Sequence, residues 1–144
     1  MKIFCDTSVL VRAFWKEHST HSRAAAILQR VKGGTDRGYV AAHTLAETFA
    51  VLTGMPAVPR VSPSMAFHLL SHDVLPFFVP IMLAPRDYVS TLEDLAFRGF
   101  SGGGTFDALL VTAARIVGPD RFYSFNAKDF LRFAPDWSDI IQEP

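Results

Sequence analysis

Four places in the sequence set an acid or an amide at the predicted start of a helix: Asp6, Glu47, Asp107, and the pair Asn126 with Asp129. Asp6 ends the short apolar run Ile3-Phe4-Cys5, and three of the four places follow a predicted strand or a short loop directly. Asp107 follows the glycine-rich stretch Ser101-Gly102-Gly103-Gly104-Thr105 instead. In a parallel sheet such positions share one edge, where ligands of open α/β sheets bind. Carboxylates gathered there have one ordinary use, to hold a divalent cation. Hard Mg²⁺ or Mn²⁺ prefers oxygen ligands and keeps several waters, which leaves room for a phosphate. Two ions about 4 Å apart can activate a water and stabilise the leaving oxygen of a phosphodiester. Helix N-termini add positive partial charge, which eases the crowding of acids.

Ordinary capping explains each residue separately just as well. Asp6 fits a helix N-cap. Thr44-Leu45-Ala46-Glu47 has the spacing of a capping box, with Glu47 as its far half. Asp107 fits a first-turn acid facing the helix dipole. Asn126 and Asp129 fit N-cap and N3, which favours a capping role for Asp129.

The elements that must position these residues read as follows. Ile3-Phe4-Cys5 is a buried strand, and Val9, Leu10, Ala13 and Phe14 form the apolar face of a helix after it. His18-Ser19-Thr20 opens a second helix, whose Ala24, Ile27, Leu28 and Val31 recur at helical spacing, and Gly33-Gly34 closes it. Tyr39-Val40 marks a second strand. Phe49, Val51 and Leu52 continue a helix from the Thr44 region to Gly54. Ser62-Pro63 opens another, cap followed by proline, carrying Met65, Ala66, Leu69 and Leu70. Phe77 to Met82 is a strand kept short or at an edge by Pro76 and Pro80. A helix from Ala84-Pro85 turns Tyr88, Leu92, Leu95 and Ala96 inward. Phe106 to Val117 is an apolar helix closed by Gly118-Pro119. Arg121 to Ser124 is a fourth strand, Asn126 to Leu131 a short helix, and Ser138 to Ile141 a last edge strand. Strands alternating with helices imply a parallel sheet covered on both faces.

With 144 residues, 49% of them apolar, the chain fits one domain, residues 1–144, with a buried core. No apolar run is long enough to span a bilayer, and no secretory signal opens the chain. Cys5 is the only cysteine, so no internal disulfide forms, and a reducing cytoplasm fits. Lysine plus arginine and aspartate plus glutamate balance at 14 each. Net charge therefore does not announce a nucleic-acid binder, and any such contact must rest on a local patch or on metal ions.

Lys2-Ile3-Phe4-Cys5-Asp6-Thr7-Ser8-Val9-Leu10 resembles the opening of PIN domains. His43-Thr44-Leu45-Ala46-Glu47-Thr48-Phe49 resembles their second acidic motif, Phe106-Asp107-Ala108-Leu109-Leu110 the third, and Ser124-Phe125-Asn126-Ala127-Lys128-Asp129-Phe130 the fourth. The likeness covers essentially the whole chain, and its short form resembles the VapC ribonuclease toxins of toxin–antitoxin pairs. It implies a three-layer α/β/α sandwich with a mostly parallel sheet of four to five strands. It also implies an endoribonuclease using Mg²⁺ or Mn²⁺, with Asp6, Glu47 and Asp107 as core acids and in-line attack leaving a 5′-phosphate. Asn126 stands where the family often has aspartate, so the set is one charge short. Asn126 or Asp129 would complete the metal site, and Thr7 and Ser124 would orient carboxylates. The implied partners are an RNA substrate, a cognate antitoxin and a second copy of the chain. The surplus of apolar residues around Met65 to Leu70 agrees with a homodimer.

Other residues point elsewhere. Arg12, Trp15, Lys16, Arg98 and Phe100 mix cations and aromatics near the expected mouth, which suits RNA backbone and base stacking; ordinary surface cations and core aromatics explain them about as well. His68 and His72 have a Zn²⁺-compatible spacing but no third ligand, so a solvated helix face is the better reading, as for His18 and His21. Cys5 reads as a core residue. Ser8 has no evident base for nucleophilic work. Gly102-Gly103-Gly104 lacks the Lys-Ser/Thr ending of a nucleotide loop. Two rival functions remain. An aspartate-based phosphotransfer domain would need a further acid where Thr7 and Ser8 stand. A non-catalytic PIN-like interaction module is supported by Asn126 and the neutral charge.

Overall fold

The computed structural model describes residues 1–144. Five strands form one sheet in the order β3-β2-β1-β4-β5: β1 Lys2–Cys5, β2 Arg37–Ala41, β3 Phe78–Ile81, β4 Arg121–Tyr123 and β5 Ile141–Gln142. Every neighbouring pair is parallel. Seven α-helices accompany it: α1 Thr7–Phe14, α2 His21–Lys32, α3 Ala42–Gly54, α4 Pro63–Leu69, α5 Pro85–Arg98, α6 Gly104–Val117 and α7 Ala127–Leu131. The expected sandwich is therefore present, with a sheet that is wholly parallel.

Side-chain alternation on the central strand divides the core. Ile3 and Cys5 point into a cluster with residues of α1 and α2, including Leu10, Ile27, Leu28 and Val31. Phe4, between them, points to the opposite face and packs with Leu110, Val111 and Ala114 of α6 and Phe130 of α7. Phe4 and Phe122 meet edge-on with ring centroids 5.2 Å apart. Both faces are covered, which is why the strands read as continuous apolar runs.

The order of strands fixes where a site can form. The chain lays down β1, β2 and β3 to one side, then returns to place β4 against the other side of β1. That reversal opens a crevice at the carboxyl ends of β1 and β4, the usual binding place of such sheets. Asp6 follows β1, and Ser124 to Asn126 follow β4.

Several sequence expectations shift. α2 begins at His21, after a turn through His18, Ser19 and Thr20. α6 begins at Gly104 and closes on Gly118 in the left-handed conformation, φ 58°. As expected, β3 lies at one edge of the sheet and β5 at the other, although β5 spans Ile141–Gln142 and not Ser138 to Ile141. On α5 the inward residues are Thr91 and Leu95, while Tyr88, Leu92 and Ala96 are exposed. The helix is rotated so that the Thr91 hydroxyl meets that of Thr112 on α6 at 2.7 Å. A π-helical turn, Leu70–Val74, extends α4 and sends Leu70 and Val74 into the core.

Gly38 of β2 is fixed by close approach. A Cβ there would stand 2.6 Å from the Phe78 ring and 2.7 Å from Val31. Gly38→Ala should lower stability by about 1–3 kcal/mol through overpacking. Denaturant unfolding checks this, with Gly54→Ala, at an open position, as the comparison.

Candidate active site

Asp6 is built in by both adjoining elements. Its backbone N–H continues the sheet ladder by donating to the Tyr123 carbonyl at 3.2 Å. Its side chain caps α1, with Oδ1 accepting from the Val9 N–H at 3.2 Å and from the Ser8 hydroxyl at 2.7 Å. Its Oδ2 accepts from the Ser124 hydroxyl at 2.8 Å, at the end of β4. Capping and site placement are thus one arrangement, and the residue is only 4% exposed. Burial pushes the Asp6 carboxyl up to about pH 6; the three hydrogen bonds oppose this, and the negative charge of Glu47 adds to it.

Glu47 arrives by a different route from the expected capping box. β2 runs into α3 without a loop, so the helix starts at Ala42 with Ala41 as its N-cap. Thr44 therefore lies inside the helix, fully buried, with a hydroxyl that caps nothing. Glu47 lies in the second turn, and its carboxylate accepts from the Thr7 hydroxyl across the α1–α3 contact. Asp107 sits in the first turn of α6. Its carboxyl is raised, first by burial, then by the charges of Asp129 and Glu47, against a lowering by Arg132. Asn126 occupies the N-cap position of α7 but makes no side-chain cap bond, so the Asn126–Asp129 capping box does not form. The Asn126 N–H instead donates to Ser124 Oγ at 2.9 Å.

Asp6, Glu47, Asp107 and Asn126 line one cavity of about 340 Å³, with Thr7 and Ser8 beside them. Asp129 stays outside its lining and is exposed. None of the chain's six salt bridges involves Asp6, Glu47 or Asp107. No three His, Cys, Asp or Glu side chains close into a cage, so the acids face one another across open space. That is a pocket of hard oxygen donors whose carboxylates form no ion pair. It suits a cation such as Mg²⁺, which binds through one or two carboxylates and keeps its waters, rather than a fully enclosed ion.

The PIN domain family model matches residues 3–134. The chain belongs to the PIN domain family. The ribonuclease VapC40 of Mycobacterium tuberculosis is 34% identical over 113 residues, 78% of each chain. The crystal structure of VapC20 from the same species, a Sarcin-Ricin loop cleaving toxin, superposes with a TM-score of 0.66 at 17% identity, covering 88% of this chain and 92% of that one. VapBC2 from Rickettsia felis, bound to a DNA fragment from the promoter, gives 0.61 at 16% identity, with 92% of each chain covered.

In this PIN domain the cationic and aromatic candidates separate. Arg12 and Trp15 line the acidic cavity. Lys16 does not; it borders a smaller hollow with Met55 and Pro59. Arg98 is also absent from the lining. Its guanidinium donates to the carbonyls of Arg132 and Phe133 and pairs with Asp94, stacking over Phe100. His18 is a residue that sequence reasoning set aside; it lines the cavity because the turn before α2 folds back over α1. Its only sequence signal was proximity to Arg12 and Trp15. His68 and His72 stack at 4.0 Å on an exposed face, far from any third ligand. Cys5 is fully buried, and burial with the Asp6 and Asp36 charges pushes its thiol well above the usual range. Ser8 accepts from the Phe125 N–H at 3.0 Å while donating to Asp6, a tether rather than a nucleophile.

The raised carboxyl of Asp6 sets a pH dependence. Its folded value, about 6, lies above the unfolded 3.8, so the native state holds the proton longer. Metal-free stability should fall as pH rises from about 4 to about 6 and then level off. Asn caps helices as well as Asp does. Asp6→Asn should therefore flatten that slope and raise metal-free stability at pH 7 by on the order of 1–2 kcal/mol, read by denaturant unfolding in chelator across pH.

Proposed function

We propose that this chain is an endoribonuclease of VapC type, the toxin of a type II toxin–antitoxin pair, acting through a divalent ion held at the acidic cavity. The carrying observation is that Asp6, Glu47 and Asp107, from three separate elements, line one cavity and form no salt bridge. Kinship with ribonuclease VapC40 supplies the substrate class.

Asp6, Glu47 and Asp107, with the amide oxygen of Asn126, would hold Mg²⁺ or Mn²⁺. When bound, such an ion polarises a phosphate oxygen and lowers the pKa of water. The chain's own residues prepare that site. Ser8 and Ser124 hold the two oxygens of Asp6 in fixed directions. Thr7 holds Glu47 at the same cavity, where its carboxylate would help bind the ion or orient the attacking water. Asp107, less tightly bonded, is left to meet the ion or the substrate. Asn126 supplies an oxygen without charge, so the site is weaker in net charge than one with four carboxylates.

Exposed apolar side chains on α4, Met65 and Phe67, and on α5, Val89, Leu92 and Phe97, suit an antitoxin and a second copy of the chain. One domain over residues 1–144 in the cytoplasm completes this reading; no helix is long and apolar enough to cross a membrane.

A second reading, a non-catalytic PIN-like binding module, is favoured by Asn126 and the neutral net charge and opposed by Asp6, Glu47 and Asp107. Phosphotransfer to Asp6 is disfavoured, because Thr7 and Ser8 stand where such a domain needs a further acid beside the nucleophile. Incubation with structured and single-stranded RNA separates these. Cleavage should require Mg²⁺ or Mn²⁺ and stop with chelator. Asp6→Asn and Asp107→Asn should abolish it, and Ser124→Ala should slow it roughly 10- to 100-fold, as expected for a residue that orients a ligand. Chelator-resistant cleavage, or wild-type rates in Asp6→Asn, would overturn the proposal.

A further inference from the structure

We propose that Arg12, Trp15 and His18 form a nucleotide subsite beside the acids, Arg12 holding the phosphate next to the scissile bond and Trp15 with His18 holding the base. This rests on the ribonuclease reading and names the residues of this chain that position the RNA.

One part of the cavity lining, made by Arg12, Trp15 and His18, differs from the acids beside it. Arg12 is the only lysine or arginine there, and it forms no salt bridge. Its guanidinium lies over the Phe125 ring, 4.1 Å from the centroid, and one nitrogen donates to Thr20 Oγ1 at 3.3 Å. A guanidinium offers five N–H donors, so most remain available. A fixed cation that lines the same cavity as the acids and pairs with none of them can take a phosphate oxygen flanking the scissile bond.

Trp15 and His18 stand together, ring centroids 5.1 Å apart and edge to face. His18 Nδ1 accepts from the Thr20 N–H at 3.2 Å. An amide N–H can only donate, so the neutral ring carries its proton on Nε2, where it is free to donate to a base edge or ribose. Thr20 thus binds both Arg12 and His18, with its hydroxyl 2.9 Å from His18 Nδ1. The three side chains are tied into one unit before any ligand arrives.

That unit is also coupled to the acids. The Phe125 N–H beneath Arg12 donates to Ser8, which donates to Asp6. The distance between phosphate-holding cation and candidate reacting centre is therefore set by packed side chains. The volume, about 340 Å³, is at the small end for a ligand pocket, roughly 300–1,000 Å³. It admits one splayed nucleotide and not a helix. RNA recognition through aromatic side chains uses bases freed from the stack, as in loops and single strands.

Trp15 and Trp137 are the only tryptophans. Trp137 packs under Arg115, outside the cavity. In Trp137→Phe protein, fluorescence therefore reports Trp15 alone. With chelator present, a mixed-sequence single-stranded oligoribonucleotide should quench Trp15, and the same strand in a duplex should not. Arg12→Gln should weaken single-strand affinity about tenfold and reduce the slope of log affinity against log salt by about 0.7, the contribution of one phosphate contact. His18→Ala should raise KM with kcat nearly unchanged.

Equal quenching by duplex, or no quenching by either RNA, overturns the subsite. So does an unchanged affinity and salt slope in folded Arg12→Gln. The two readings fail separately. Metal-dependent cleavage with a silent Trp15 sinks the subsite and keeps the nuclease. Quenching without cleavage under any metal sinks the nuclease and keeps a single-strand binding site.

Discussion

A carboxylate buried without a cation is the constraint around which this molecule is arranged. Asp6 lies between the carboxyl ends of β1 and β4, almost out of contact with water, and no lysine or arginine pairs with it. Such a placement is unfavourable unless hydrogen bonds or a bound charge offset it. The fold supplies the hydrogen bonds from both sides: Val9 and Ser8 from α1, Ser124 from β4. It can do so only because the strand order returns β4 to lie beside β1. The remaining charge is left for something that is not part of the chain.

The other acids deepen that imbalance instead of relieving it. Glu47 acts electrostatically on both Asp6 and Asp107, although it comes from the second turn of another helix. Sites that trade stability for chemistry look like this. Asn126 limits the imbalance by replacing a fourth charge with an amide. Its side chain makes no cap bond on α7, and the residue lines the cavity.

Much of this was legible in the sequence because local rules and the global fold agree. The unbroken apolar run Ile3, Phe4 and Cys5 marked a buried strand, and Ser62-Pro63 marked a helix start that forms as expected, with Ser62 accepting from the Met65 N–H. Where reading failed, a tertiary contact had overridden a local pattern. Thr44 and Glu47 have capping-box spacing, but β2 passes straight into α3, so the helix begins earlier and Glu47 is free to reach Thr7. Tyr88 and Leu92 have core spacing on α5, but the Thr91–Thr112 contact turns them outward. His18 looked like a solvated residue because nothing in a lone histidine says that a turn will fold it over the cavity. Arg98, conversely, had the composition of a nucleic-acid contact and instead binds the carbonyls that end α7.

The central claim is that the uncompensated charge at Asp6 is the seat of a divalent ion. Titration of Mn²⁺ into metal-free protein, followed by the loss of the free-ion electron paramagnetic resonance signal, tests it directly. The account predicts saturable binding to the wild-type protein at pH 7, weakening as pH falls below about 6, where Asp6 takes up its proton, and no comparable binding to folded Asp6→Asn. Equal binding by the two proteins, or binding indifferent to pH across that range, would contradict it.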